Sequence, residues 1–500
     1  MSQMRFFATI YYERTFKYYY EKRLPMKNMY DYDKLLCNTR RQRSSMVRAS
    51  SVEDFYSDRS RIIYCSSFRR LQHKAQVFSL EPNSSVRTRL THSLEVADIG
   101  RTLANKIGQR LFEEEYITEA QIPQFVAIVE NACLLHDIGN PPFGHFGEAA
   151  ICAWAREKLV EFAKSAGIDT SERCFTTLVN DFYEFDGNPQ GFRIISQLHC
   201  ERDEFSLNLT YATLMCALKY TRIAGAEGQT GITKKAGYFC SEKDIVESIR
   251  DSLGINPLCR YPLTYIMEAA DDIAYCLSDI GDGIEKRIIK ADEFLKLFAD
   301  LWKKENSNVP IPVAVPDHVD NFNLEVSIKW THKLIQHAVD NYFAMHDEIF
   351  RWTAPQLING DMEKVLDTIK AVSRKCLYRS DEAENIELTG YSVITGLLRH
   401  FSKLIVLPYN KFQYLVDENL SPQRQNMDLE WRLFNRIGNR YVKSYRYQLN
   451  KHEGDKNFVI YEWWLRVHMI IDHINGMTDS FALATYQMLE GIKVPDKDNM

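Results

Sequence analysis

Five hundred residues are enough for one large domain or two to three ordinary ones, with a sizeable core either way. An apolar share of 45%, a charged share of 26% and a formal net charge of −5 describe an ordinary globular chain without global attraction to nucleic acid or membrane, so any anion site has to be local. Gly (22) and Pro (15) are scarce for this length, which disfavours turn-rich sheet folds and favours long helices.

In chain order, residues 1–34 read as an N-terminal extension, with Met26 as an alternative start. The stretch FFATIYY sits among charges and is too polar for a secretory core. Residues 27–60 are polar and Arg-rich, a loop leading into a helix start. Over 92–113, Leu94, Ile99, Leu103, Ile107 and Leu111 recur at helical spacing. Residues 122–136 predict a second helix, with Pro123 suited to its first turn. It ends in DIGNPPFGHFGE, where Gly139, Pro141 and Pro142 forbid continuation, and a third helix starts near Phe146. The Gly-rich stretch 222–240 reads as an exposed loop or hairpin. Residues 259–285 return to helical periodicity through Ile266, Ala270, Ile273 and Leu277. The segment 303–319 is the clearest linker, separating a core over 35–302 from a helical C-terminal region, 320–500, expected to pack on it. No run approaches the ~18 apolar residues a membrane helix needs. Eleven scattered Cys without a CxxC pair fit inert thiols in a reducing, cytoplasmic compartment.

The residues that carry chemistry begin with His136 and Asp137, adjacent at the end of an apolar helix. A buried carboxylate beside an imidazole calls for a cation, and this donor pair suits a divalent metal. A lone His-Asp pair is equally an ion pair or a helix C-terminal contact. Three further features weigh against that. His145 and Glu148 follow, three apart and therefore on one helix face. His92 sits upstream in the Arg-rich phrase VRTRLTHSLEVADIG, and the acidic pair Asp271 and Asp272 sits downstream in EAADDIAYCLSD. No Walker loop and no strand-to-helix G-x-G-x-x-G phrase is present, which disfavours P-loop and Rossmann chemistry.

An H…HD…D pattern resembles the ligand set of the HD phosphohydrolase superfamily. The phrases SSFRRLQHKAQVF, RTRLTHSLEVA, LLHDIGNPPFGHFGE, NPQGFR, EAADDIAYCLSD and HINGMTDSFALATYQ closely resemble bacterial deoxyguanosine triphosphate triphosphohydrolases, from roughly residue 35 to 490. The resemblance implies an all-α fold with an HD helical core and cleavage of dGTP at the α-phosphate to deoxyguanosine and tripolyphosphate. It implies one divalent cation, Mg2+ or Mn2+, on His92, His136, Asp137 and Asp271, with Asp272 an adjacent candidate for the last place. It makes His145 and Glu148 the acid/base pair. It favours Asn188, Lys219, Tyr220 and Lys243 as phosphate contacts. Arg69 and Arg87 or Arg89 are further cationic candidates from their phrases. Tyr275 lies one turn after Asp271, placed to pack on the sugar, and Asp279 lies one turn further, placed for the 3′-hydroxyl. Each reads otherwise as a core aromatic and a helix cap. His73 stands between lining the pocket and simple packing.

The basic-aromatic phrase EWRLFNRIGNRYVKSYRYQLNK makes Arg436 and Arg440 candidate contacts to DNA or a neighbouring subunit, against the plainer reading of an amphipathic surface helix. Members of the family are associated with homo-oligomers, a hexamer among them, and with single-stranded DNA as a modulator. Three alternatives stay open: a broader dNTP triphosphohydrolase activated by a nucleotide, an HD phosphodiesterase or nucleotidase, and a non-catalytic nucleic-acid-binding regulator.

Overall fold

The computed structural model describes residues 31–493 apart from 47, 201–202, 229–230, 258, 307–308, 352–353 and 418–425. Among them helices dominate, and the two strands are short. Residues 1–30 of the proposed extension lie outside the described residues. Residues 32–35 form the short helix α1 (Tyr32–Leu35), which belongs to the core. The buried Tyr32 hydroxyl lies 2.9 Å from both the Tyr342 hydroxyl and His346 Nε2.

Helix α2 (Val52–Tyr64) leads to α3 (Arg89–Glu113), which begins where Thr88 and Thr91 cap each other's backbone N–H groups. Leu103, Ile107 and Leu111 are buried on its inner face, whereas Leu94 is half exposed. Leu94 lies nine residues before Leu103, half a turn out of phase at 100° per residue, so it belongs to the outer face. Helix α4 (Ile122–Leu135) starts with Pro123 in its first turn. It buries residues all round, as a helix packed by α2, α3 and the helix over Thr264–Glu285 must.

Past α4 the chain crosses the start of α6 (Gly187–Arg193) at backbone contact distance. A Cβ on Gly139 would lie 2.0 Å from the Gly187 carbonyl oxygen and 2.1 Å from Gly191 N. Gly139→Ala is therefore expected to force these backbones apart. The cost should reach at least the ~1–3 kcal/mol of an overpacked core, read as a lower melting midpoint; an unchanged midpoint would contradict the close crossing. Helix α5 (Gly144–Ser165) then starts from Phe143, held at φ 62°.

The stretch 222–240 is not a hairpin, and the described residues between its two strands are exposed or half-buried, apart from the buried Ala224. Strands β1 (Arg222–Ile223) and β2 (Ala236–Tyr238) pair in parallel, and β2 is buried. Gly237 explains the inward position: a Cβ there would lie 1.8 Å from the Tyr220 carbonyl oxygen. Helix α7 (Thr264–Glu285) buries Ile266, Ala270, Ile273 and Leu277 along one face.

Among its described residues the segment 303–319 carries no helix beyond Glu305, yet it is fastened down. The Trp302 and Trp330 indoles donate to the Val309 and Ala314 carbonyls at 2.8 and 2.9 Å, and Val313 and Val319 are buried. The helices beyond it share the core. Helix α8 (Ile328–Ala344) packs on α3 and α7, and α9 (Gly360–Cys376) packs on α7. Helix α10 (Asp381–Ile405) packs on α5, on α12 (Phe458–Asn475) and on α13 (Asp479–Leu489), and α12 also packs on α11 (Asn439–Asn450). Buried side chains form one cluster from Tyr32 to Ala482. No described helix is long and apolar enough to cross a membrane.

Candidate active site

Where α3, α4 and α7 meet, three donor side chains converge. His92 comes from the first turn of α3, His136 caps α4, and Asp271 lies in the middle of α7. Their ligand atoms all lie within 4.8 Å of one another. Asp271 Oδ1 stands 3.6 Å from Nε2 of each imidazole. The two rings meet edge to face, with centroids 5.2 Å apart.

These donors fit a metal ion. His136 Nδ1 donates to the Cys133 carbonyl oxygen at 2.7 Å, which leaves the Nε2 lone pair facing the cluster. That Nε2 and both ring nitrogens of His92 are buried without a hydrogen-bond partner. Buried polar atoms rarely stay unsatisfied, and two nitrogens and a carboxylate oxygen at this spacing make a cation site.

Asp137 stands beside the cluster, its Oδ2 3.6 Å from His136 Nε2. Arg89 Nη1 donates to the same oxygen at 2.8 Å, and Asn140 Nδ2 donates to Oδ1 at 2.5 Å. Burial alone would raise the Asp137 pKa; the Arg89 guanidinium and the two imidazoles outweigh it and hold the pKa at about 2. Asp271 likewise stays ionised against burial, chiefly because Lys219 Nζ lies 3.1 Å from its Oδ2. Asp272 points elsewhere. It faces Lys370 Nζ at 3.6 Å, and burial pushes its pKa up to about 6.

The cluster opens into a cavity of about 430 Å³. At its mouth His145 Nδ1 lies 2.8 Å from Glu148 Oε2, and the imidazole is largely exposed. Glu148 is itself fixed, because the Gly187 N–H donates to Oε1 at 2.8 Å. The bond from Glu148 raises the His145 pKa.

Asn188, Lys219, Tyr220 and Tyr275 line the same cavity, as does Arg89. Asp279 sits one turn beyond Tyr275, buried. The Tyr378 hydroxyl donates to its Oδ2, while Oδ1 has no partner. Burial pushes the Asp279 carboxyl up to about 7.

Two cations named from the sequence do not reach the cavity. Arg69 is exposed outside its wall, and Lys243 lies on the outer face of its helix, 3.8 Å from Glu247. Arg87 is engaged by Glu95 and Asp282, and His73 is exposed. Arg436 is exposed, while Arg440 donates to the Ser66 and Tyr441 hydroxyls at 2.7 and 3.0 Å. Neither arginine lines the cavity.

The cavity also holds residues that sequence reasoning missed. Lys235 Nζ lies 2.5 Å from Asp186 Oδ2, and Lys370 comes from α9, Tyr378 from the turn after it and Glu387 from α10. The Tyr378 and Tyr275 hydroxyls lie 2.7 Å apart. The Lys-Lys pair in GITKKAGYF was visible in the sequence, but nothing local said which lysine turns inward. Tyr378 bonds to residues about a hundred positions upstream and carries no local signal at all.

Comparison with known proteins agrees with this geometry. A family model described as "HD domain" matches residues 89–179, the stretch that carries His92, His136, Asp137, His145 and Glu148. The deoxyguanosinetriphosphate triphosphohydrolase of Salmonella typhi is 35% identical over 487 residues, covering 88% of this chain and 94% of that protein. The protein of the same name from Klebsiella pneumoniae subsp. pneumoniae is 34% identical over 507 residues, covering 91% and 98%.

Proposed function

The chain belongs to the deoxyguanosinetriphosphate triphosphohydrolase family, and on that premise we propose that it hydrolyses dGTP at the α-phosphate, releasing deoxyguanosine and tripolyphosphate and so controlling the dNTP pool. One observation carries the reading: His136 and Asp271 of the three-donor cluster, the His145–Glu148 pair and several cations line a single cavity, with His92 buried directly behind.

His92, His136, Asp137 and Asp271 would hold one Mg2+ or Mn2+, which when bound supplies positive charge beside the α-phosphate and a lowered pKa for water. Lys219, Lys235, Asn188 and Tyr220 meet the close to four negative charges of the triphosphate. Glu148 occupies Nδ1 of His145, so Nε2 is the atom left to exchange a proton. The raised His145 pKa favours the imidazolium, which suits donation to the departing 5′-oxygen. Tyr275 packs against the deoxyribose, while Asp279, expected from the sequence to meet the 3′-hydroxyl, is buried outside the cavity lining and instead holds Tyr378, which does line it.

Substituting a charged phosphate contact costs about 1.5–3 kcal/mol, tenfold per ~1.4 kcal/mol. Lys235→Met is therefore expected to raise the KM for dGTP about tenfold or more, while Lys243→Met leaves it within about twofold. Steady-state kinetics on both variants checks the assignment, and the reverse order would restore Lys243 to the site.

The proposal extends to a homo-oligomer, a hexamer on the family resemblance, and to single-stranded DNA as a modulator through Arg436 and Arg440. It also extends to a cytoplasmic location, for which the eleven free cysteines speak. The test of the activity is a product analysis. The protein is incubated with each dNTP and with GTP in Mg2+ or Mn2+, and the products are resolved by anion exchange. Deoxyguanosine and intact tripolyphosphate from dGTP, lost in His136→Ala, are expected. Orthophosphate or pyrophosphate as first product would overturn the scission point, and equal turnover of all four dNTPs would overturn dGTP specificity.

A further inference from the structure

The loop between the HD pair and α5 has few ways to be held in place. Pro141 and Pro142 have no N–H, so Asn140 O and Phe143 N are the backbone groups of 140–143 that reach distant side chains. Two buried side chains take them. Lys74 Nζ donates to the Asn140 carbonyl at 2.5 Å and to the Asn475 carbonyl, at the end of α12, at 2.7 Å. The Phe143 N–H donates to Asp479 Oδ1 at 3.1 Å, and the Ala75 N–H donates to Asp479 Oδ2 at 3.0 Å. Asp479 opens α13, more than three hundred residues from the loop it holds.

Three observations separate this brace from ordinary packing. First, Lys74 and Asp479 are only 4% and 3% exposed. Burying ionisable groups costs more than apolar packing of the same volume would, and burial pushes the Lys74 pKa down to about 7, so stability alone does not call for these residues. Second, the brace joins two walls of the cavity: Ala75 and Gln76 on one side, Asn140, Phe143 and His145 on the other. Third, it grips the loop at a strained point. Phe143 sits at φ 62°, a region a bulky side chain avoids, and persists there only if its surroundings over-determine it. Helix α10 presses from the other side, where a Cβ on Gly390 would lie 2.5 Å from Phe143 Cβ. Two residues later the loop delivers His145, and Asn140 Nδ2 reaches Asp137.

We propose that Asp479 and Lys74 are positioning residues: they lock the Asn140–His145 loop so that His145 stands at proton-transfer distance from the substrate. The C-terminal helices thereby complete the catalytic geometry of the HD core. This rests on the reading of His145 as the proton donor.

The test uses the full chain with Asp479→Asn, which replaces one of two acceptors by an amide, and Lys74→Met, which removes the ammonium at similar length. Four readouts are taken: the melting midpoint, Mn2+ affinity, hydrogen exchange of peptides covering 138–148 against those covering 92–111, and kcat and KM for dGTP. Both variants should bind Mn2+ as the parent does and exchange faster at 138–148 only. A misplacement of about 1 Å can cost 100-fold, so kcat should fall about 10- to 100-fold, with KM within about threefold. Unchanged exchange at 138–148 overturns the brace. A kcat within about threefold of the parent despite faster exchange overturns its catalytic role. Loss of Mn2+ affinity in step with kcat, or faster exchange throughout, reduces the pair to general stabilisation and overturns positioning. If one variant does not fold, the other decides by the same readouts. A parent protein that turns over no dGTP sinks the proposed activity, while the exchange measurement still decides the brace.

Discussion

Asp271→Asn is expected to leave the protein without its metal and to reduce dGTP hydrolysis about 1000-fold or more, while Asp272→Asn keeps the metal and loses about tenfold at most. The two carboxylates are neighbours on one helix, yet one residue turns a side chain by 100°. Asp271 Oδ1 stands 3.6 Å from both imidazoles, and Asp272 faces Lys370. An amide in place of Asp271 removes a negative charge from the cluster and leaves Lys219 Nζ without its nearest counter-charge. A catalytic cation is worth several kcal/mol of transition-state stabilisation, which at ~1.4 kcal/mol per tenfold reaches three decades. Metal content per chain and turnover, measured together, check it. Retention in Asp271→Asn with loss in Asp272→Asn would reverse the assignment.

Glu148→Gln is expected to lower kcat by about 100-fold or more, the scale of a positioned acid or base, with metal binding intact. Both carboxylate oxygens are committed, Oε2 to His145 Nδ1 and Oε1 to the Gly187 N–H. A glutamine offers one acceptor and turns an amide on the other partner. The pH profile carries the more specific signature. The bond from Glu148 raises the His145 pKa, so the imidazolium persists to higher pH than an ordinary imidazole would allow. With His145 as the acid, activity falls on the basic side as this proton is lost. Removing the carboxylate lowers that pKa, so the basic limb of kcat/KM against pH must move to lower pH, and in His145→Ala it must vanish. A limb that stays in place in Glu148→Gln would assign the proton to another group.

Read locally, the sequence says a great deal about this protein. Apart from Leu94, the apolar residues at helical spacing face the core in α3 and α7, because 100° per residue is a property of the chain itself. α4 ends at Leu135, and Pro141 and Pro142 keep a helix from running on through the loop that follows, because a residue without an N–H makes no i→i−4 bond. His136, Asp137, His145 and Glu148 fall within thirteen positions, close enough for a helix end and one turn to bring them to one cavity.

Tertiary structure decided the rest, wherever the deciding partner is distant in sequence. Whether Asp271 or Asp272 faces the imidazoles depends on which side of α7 meets α3 and α4. Arg69 and Lys243 look like phosphate contacts in their phrases, but a long cationic side chain takes its role from what its element packs against, and both ended outside the cavity wall. Lys235 entered because Gly237 lets β2 lie against the Tyr220 backbone. Tyr378 and Asp479 reach the site only because the C-terminal helices fold back over the HD core. Periodicity and chain-breaking residues act over one or two turns and can be read from the string of letters. Facing, burial and charge pairing come from surfaces hundreds of residues apart, and only packing brings those together.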